Sequence, residues 1–343
     1  MARGVLWQQY DPMVTSHAMA ASDSADGTTL RAGDHISAYR IEGLIGSGGM
    51  GWVFRARHQI SGRVVALKVL REDQLGQDRA VDRMMREATI LGTVSHPGLP
   101  RFYECGLLDD GRPWIAMEMV PGTPLSSHLQ DGAVLLPKEV AALVRSVSDV
   151  LAAAHSRGVT HRDLKPDNIF LTPDDPTFPV RVIDWGIAHQ GAGARFTAMN
   201  EAIGTPTYMA PEQARGGPTD GHCDVYGLGV LAYQALVGRP PFVGQTPVEI
   251  LVQHLNRPAP ALGPRCPDAP ARLVELVERM LCKKYEDRPS AEEVCSRLAS
   301  LYDRVTAVTD AVDDDDTGIP RPISGSDQTG TAQMRAPHLD DHD

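Results

Sequence analysis

Eight residues, HRDLKPDN (His161 to Asn168), set the terms for reading this chain. They place a carboxylate, Asp163, two residues before an ammonium, Lys165, and five before a carboxamide, Asn168. A carboxylate such as Asp163 can orient a hydroxyl and take up its proton. Lys165 can neutralise charge building on a moving phosphoryl group. The amide oxygen of Asn168 suits a hard cation such as Mg²⁺. These parts fit phosphoryl transfer, in which positioning and electrostatics do nearly all the catalytic work. One octapeptide is a hypothesis, so the flanking chain must supply the other parts in order.

Downstream, IFLT and PVRVI read as a short hairpin that ends at Asp184-Trp185-Gly186. A carboxylate at a strand end before glycine can offer a second metal ligand. A glycine-rich stretch then leads to GTPTYMAPEQ, Gly204 to Gln213. Beyond it the chain reads as helical around Asp224 to Val237, Thr246 to Leu255, Ala271 to Leu281 and Ala291 to Leu301. Upstream, Val140, Leu143, Val144, Val147, Val150, Leu151 and Ala154 recur at helical spacing, predicting a core helix from Pro137 to His155.

Further upstream the period changes to two. YRIEGLIG, WVFRARH and RVVALKVL alternate and are joined by glycine turns, which predicts an antiparallel meander. The first turn reads Gly46-x-Gly48-x-x-Gly51-x-Val53. Glycine permits positive φ and lets backbone N–H groups approach phosphate oxygens. A dinucleotide fold uses a similar pattern, but there the third glycine opens a helix. Here Trp52, Val53 and Phe54 follow it and favour a strand, so a β-hairpin flap is expected. Lys68 lies in the apolar run VVALKVL. It is either a solvent-facing edge lysine or a cation that meets phosphates beneath the flap. Val81, Met84, Met85, Ala88 and Leu91 predict an amphipathic helix, with Glu87 beside its apolar stripe. Glu87 pairs either with Lys68 or with Arg83 or Arg86 on its own helix.

Bulk properties bound the rest. The 343 residues are 42% hydrophobic, enough for a real core and against a wholly disordered chain. A net charge of −11 argues against a general nucleic-acid partner. No apolar run approaches the about 18 residues of a membrane span, and the N-terminus lacks the apolar core of a secretory signal. The five cysteines are scattered with no CxxC pair, which reads as reduced thiols in a cytoplasmic protein. Residues 1–37 are small and polar and predict a flexible lead; 303–343 are acidic and turn-rich and predict a disordered tail.

Taken in order, the glycine loop, VALK, a helix glutamate, HRDLKPDN, DWG and APE resemble the protein kinases. GTPTYMAPEQARG and QHLNRP resemble the bacterial eukaryotic-like (Hanks-type) serine/threonine kinases in particular. The resemblance covers residues 39–302 and implies an α+β, bilobal protein-kinase fold. A small antiparallel sheet lobe with one key helix (38–117) would sit with a larger, mainly helical lobe (123–302). It implies ATP and Mg²⁺ as cofactors, with Mn²⁺ as an alternative metal, and protein Ser/Thr hydroxyls as acceptors. Gly46, Ser47, Gly48, Gly49 and Gly51 would cover the ATP phosphates, and Lys68 would contact them, held by Glu87. Val53, Ala66 and Phe170 would sandwich the adenine, Met117 would guard the back of its pocket, and Glu118 and Val120 would offer backbone groups. Asp163 would act as base, Lys165 would stabilise the transferring phosphoryl, and Asn168 and Asp184 would hold the metal. Glu212 would pair with Arg288, and Asp224 would brace the catalytic loop.

The resemblance extends to control and leaves two competitors to weigh. Arg162 beside the catalytic aspartate implies activation by loop phosphorylation, with Thr197 as the autophosphorylation site and Arg195 as a second partner. Thr205 resembles a substrate-binding threonine instead. A dimer during autophosphorylation is known among similar kinases. Trp185 stands where the family usually carries phenylalanine, and its larger ring is expected to restrict outward flipping of that segment. A pseudokinase scaffold is opposed by the filled polar positions. A small-molecule kinase of the antibiotic-phosphorylating type is opposed by the APE segment.

Overall fold

The computed structural model describes residues 30–48, 51–75, 80–185 and 206–299. The first part is β-rich. Strands β1 (His35–Ile36), β2 (Tyr39–Ser47), β3 (Gly51–His58), β4 (Val64–Leu70), β5 (Phe102–Leu107) and β6 (Pro113–Glu118) form one antiparallel sheet. Their order is β1-β2-β3-β4-β6-β5. Trp52, Phe54, Val65, Leu67, Val69, Trp114 and Ala116 fill one side of this sheet. Strand β4 is central and buried along nearly its whole length, as a continuous apolar run should be. The lead expected through residue 37 is ordered at its end. β1 pairs with Tyr39 and Arg40, and Ile36 is buried, so strand pairing overrides the polar local composition.

Helix α1 (Ala80–Thr93) packs on β4, β5 and β6. Its buried residues are Ala80, Met84, Glu87, Ala88, Ile90 and Leu91. The stripe is thus rotated from the one the sequence predicts: Val81 is half-buried and Met85 is exposed. Glu87 stands on the inward face, with its carboxylate on the Lys68 ammonium.

The second part is mainly helical. It comprises β7 (Thr123–Pro124), α2 (Leu125–His128), α3 (Pro137–His155), β8 (Ile169–Leu171), β9 (Val180–Val182), α4 (Pro211–Ala214), α5 (Gly221–Val237), α6 (Pro247–Asn256) and α7 (Ala271–Met280). A last helix, α8, covers 291–299. The seven apolar positions that predict α3 are all buried. Helix α5 is buried on every face from Cys223 to Tyr233, wedged between α3 and α7. It starts three residues before the predicted Asp224, because the Asp220 carboxylate accepts from the His222 N–H at 2.9 Å and caps it. Gly238, at φ +80°, ends it. β7, β8 and β9 form a small antiparallel sheet. Among the described residues no helix is long and apolar enough to cross a membrane, and all five cysteines are free.

The glycine turn joins β2 to β3, and Gly48 N–H donates to Gly51 O at 2.9 Å. None of Gly46, Gly48 and Gly51 has positive φ, so the freedom that glycine permits is not used there. What requires glycine at 51 is proximity: a Cβ there would lie 2.5 Å from the Val69 carbonyl oxygen of the paired strand. At Gly46 the nearest atom would be 4.0 Å away. Gly51→Ala should therefore lose about 1–3 kcal/mol of stability by chemical denaturation, and Gly46→Ala should lose far less.

Candidate active site

Residues opposed across an antiparallel pair share a face. Val53 is opposite Lys68, and Ala66 is opposite Met117. The period of two then puts Val53, Ala66, Lys68 and Met117 on one face of the sheet. Gly46 is opposite Val53 at the glycine turn. Lys68 is not an edge lysine: it sits in a central strand and is 7% exposed. Its Nζ donates to Glu87 at 2.8 and 3.0 Å and to Asp184 at 2.8 Å. Glu87 is buried, so the alternative pairing with Arg83 or Arg86 on its own helix gives way to Lys68. Burial would pull the ammonium down, but the Glu87 and Asp184 carboxylates outweigh it and hold Lys68 above the ordinary lysine value. Lys68 in turn holds Asp184 below the usual carboxylate range.

The HRDLKPDN segment forms the opposite wall. Lys165 Nζ donates to Asp163 Oδ2 at 3.1 Å, and Asn168 Nδ2 donates to the Asp163 carbonyl at 2.8 Å. His161 is fully buried and joins this loop to the segment before Asp184. Its Nδ1 accepts from Asp163 N–H at 3.2 Å, which places the ring proton on Nε2, and Nε2 donates to Ile183 O at 3.0 Å. Ile183 N–H donates to Asn168 O at 2.9 Å. Lys68, Glu87, Asp163, Lys165, Asn168 and Asp184 therefore belong to one connected cluster.

Two non-glycine residues here lie in the left-handed region, Arg162 at φ +66° and Asp184 at φ +56°. Such strain persists only where neighbours over-determine the backbone. For Arg162 they do. Asp224, 1% exposed, accepts from His161 N–H at 2.8 Å and from Arg162 N–H at 2.7 Å. His155 Nε2 sits 2.8 Å from the same carboxylate, and Gln213 Nε2 donates to Arg162 O at 2.8 Å. The sequence assigns His155 and Gln213 no such role. Their partners lie 69 and 51 residues away, and no local pattern points to them.

Asp184 Oδ2 and the Asn168 amide oxygen accept no hydrogen bond among the described residues. Two hard oxygens on facing segments fit Mg²⁺, which fills its remaining positions with water and phosphate. Trp185 is fully buried, edge-on to His161 at 4.9 Å, and its indole N–H donates to Val182 O at 2.9 Å. Phe170 lies on β8, half-buried, opposite Arg181. Glu118 ends β6, and Val120 follows in the linker. The Glu118 N–H is spent on Arg101 O at 2.8 Å, so only its carbonyl can be offered to a ligand. Glu212 and Arg288 form a buried, two-pronged pair at 2.7 and 2.9 Å. Ser47 and Gly48 are exposed at the flap. Gly49, Arg195, Thr197 and Thr205 lie outside the described residues.

A strand lysine, a helix carboxylate and a loop aspartate brought into contact under this sheet order define the protein kinase fold. The chain belongs to the protein kinase family, whose protein kinase domain model matches residues 39–298. It is 41% identical over 275 residues to the serine/threonine-protein kinase pkn3 of Myxococcus xanthus, across 78% of this chain and 50% of that one. It is 36% identical to the serine/threonine-protein kinase PkaA of Streptomyces coelicolor, across 76% of this chain and 49% of that one. The chain thus spans about half the length of these curated relatives. The crystal structure of the Mycobacterium tuberculosis PknI kinase domain aligns with a TM-score of 0.62 at 30% identity, covering 80% of this chain and 99% of that one.

Asp224 gives a pH test. Burial alone would raise its pKa, but the hydrogen bond from His155 and the Arg162 N–H outweigh it and hold it below the ordinary aspartate value. A depressed carboxylate adds stability that is fully present above its unfolded value, about 4, and lost as the pH falls through the folded value. Asp224→Asn should lose roughly 2–3 kcal/mol at pH 7. Its denaturation curve should converge on the wild-type curve as the pH drops below about 4.

Proposed function

We propose that this chain is a serine/threonine protein kinase, with a catalytic domain over residues 38–302, that transfers the γ-phosphoryl group of ATP to protein hydroxyls. The observation that carries the reading is the buried Lys68 ammonium, 2.8 Å from both Glu87 and Asp184. A cation fixed beneath a glycine flap is placed for the α- and β-phosphates, and Glu87 keeps it from turning away. The base lies between Val53 and Ala66 above and Phe170 below, with Met117 behind. Its polar edge meets the Glu118 carbonyl and the Val120 N–H. Asn168 and Asp184 would hold Mg²⁺, which would supply positive charge against the phosphates.

Asp163 orients the acceptor hydroxyl and takes its proton. The hydroxyl oxygen forms the new bond to the γ-phosphorus as the bond to the β,γ-bridging oxygen breaks, and ADP leaves. Lys165 lies beside Asp163 and neutralises charge on the group in flight. The serine/threonine assignment also draws on the names of the relatives and on Lys165, which resembles that class rather than the tyrosine kinases. Autophosphorylation at Thr197, paired with Arg162, is part of the same reading.

Asp163→Asn should reduce transfer to a generic basic protein by roughly 10³-fold or more while nucleotide binding persists. Lys68→Met should abolish transfer too, but it leaves Glu87 buried without its cation. Stability should then fall by about 3–5 kcal/mol, and Lys68→Met/Glu87→Leu should recover much of it. Wild-type turnover in either single variant would overturn the role assignment.

A further inference from the structure

Arg181 is buried, 4% exposed, on a strand with no part in the phosphate chemistry. It lies opposite Phe170, so both side chains leave the small sheet on the face turned toward the linker between the two β-sheets. Its guanidinium is anchored on the large-lobe side. Nη2 donates to Asp175 Oδ2 at 2.5 Å, and Nη1 donates to the carbonyls of Phe178 and Val180 at 3.1 and 3.2 Å. The remaining nitrogen, Nε, is buried, has no hydrogen-bond partner among the described residues, and lies 3.8 Å from Glu118 Oε1. That is too long for a hydrogen bond and about 1 Å from making one.

Glu118 is clamped from the other side. Its Oε2 accepts from Arg101 N–H at 3.0 Å, and its own N–H donates to Arg101 O at 2.8 Å. The carboxylate is thus fixed between the start of β5 and the β8–β9 hairpin. Its backbone carbonyl is the group that remains for a ligand. A buried, unsatisfied donor facing a carboxylate across a small gap costs free energy until the gap closes. Contraction of the linker onto a bound base would close it.

We propose that Arg181 is a positioning residue for the nucleotide base: it holds the Glu118 carboxylate from behind and so sets the carbonyl that reads the adenine 6-amino group. This deepens the nucleotide reading given above and rests on it. Arg181 touches neither phosphate nor acceptor, so it acts on base affinity and base choice rather than on the chemical step. Phe170 and Glu118 contact the base from two lobes, and Arg181 ties one to the other.

The test compares ATP with inosine triphosphate, which carries an oxygen in place of the 6-amino group. Arg181→Met should raise KM for ATP about five-fold, the effect of one lost charge-assisted hydrogen bond, with kcat within about two-fold. The ratio of kcat/KM for ATP over inosine triphosphate should fall by a similar factor. Arg181→Lys should restore part of it. A purely structural arginine would instead lower Tm and depress both nucleotides equally, and an unchanged ratio overturns the proposal. Should Arg181→Met fail to fold, Glu118→Gln removes only the charge facing Nε and leaves the Asp175 anchor. The same fall in ratio is expected, and its absence overturns the proposal. A dead Lys68→Met with an unchanged ratio in the Arg181 variants sinks this inference alone, whereas an active Lys68→Met sinks the nucleotide reading beneath it.

Discussion

A positive charge taken out of water must be met by negative charge, and in this chain that requirement falls on Lys68. Its strand is central and apolar, so the ammonium cannot reach solvent. One carboxylate comes from α1 and another from the segment after β9, so three distant parts of the chain must arrive together. The rotation of α1 about its axis follows from this demand, as does the inward turn of Glu87. Asp184 makes its contact with Lys68 from a left-handed backbone conformation. Each is a local cost that makes sense only against the far larger cost of a lone buried cation.

The second organising charge is negative. Asp224 projects from the first turn of an otherwise apolar helix and collects two backbone N–H groups and an imidazole. Helix α5 is fixed by packing on all sides, so a carboxylate mounted on it is a rigid reference point. The loop that carries Asp163 inherits that rigidity through Arg162. His161 ties the catalytic loop to the segment that carries Asp184: its backbone N–H donates to Asp224, and its ring nitrogens meet Asp163 N–H and Ile183 O.

Periodicity made α3 and the β2–β4 meander legible, because burial acts on every turn of a helix and every second residue of a strand. Lys68 and Glu87 were legible as a pair because a charge inside an apolar run needs an answer. The turn of α1 was misjudged by that same method: apolar counting put Met85 inward, whereas a single ion pair outweighed it. His155, Gln213 and Arg181 left no mark in the sequence. Each is an ordinary residue type whose meaning comes from a partner far along the chain. The glycines of the flap were recognised by spacing, but their cause was not the expected one. Gly51 is required by a neighbouring carbonyl and not by its own dihedral angles.

Trp185 carries a last consequence. The residue beside Asp184 is a large indole sunk in the core, with its N–H engaged and its ring against His161. Withdrawing it would expose about 1.5–3 kcal/mol of apolar surface and break a buried hydrogen bond worth about 1 kcal/mol. Intermediate positions would forfeit the contact and gain nothing in return. Burial of the ring thus helps to hold the neighbouring Asp184 in place. The ring also fluoresces, and the difference between the wild-type chain, with its four tryptophans, and Trp185→Phe would isolate its seated signal without any added label.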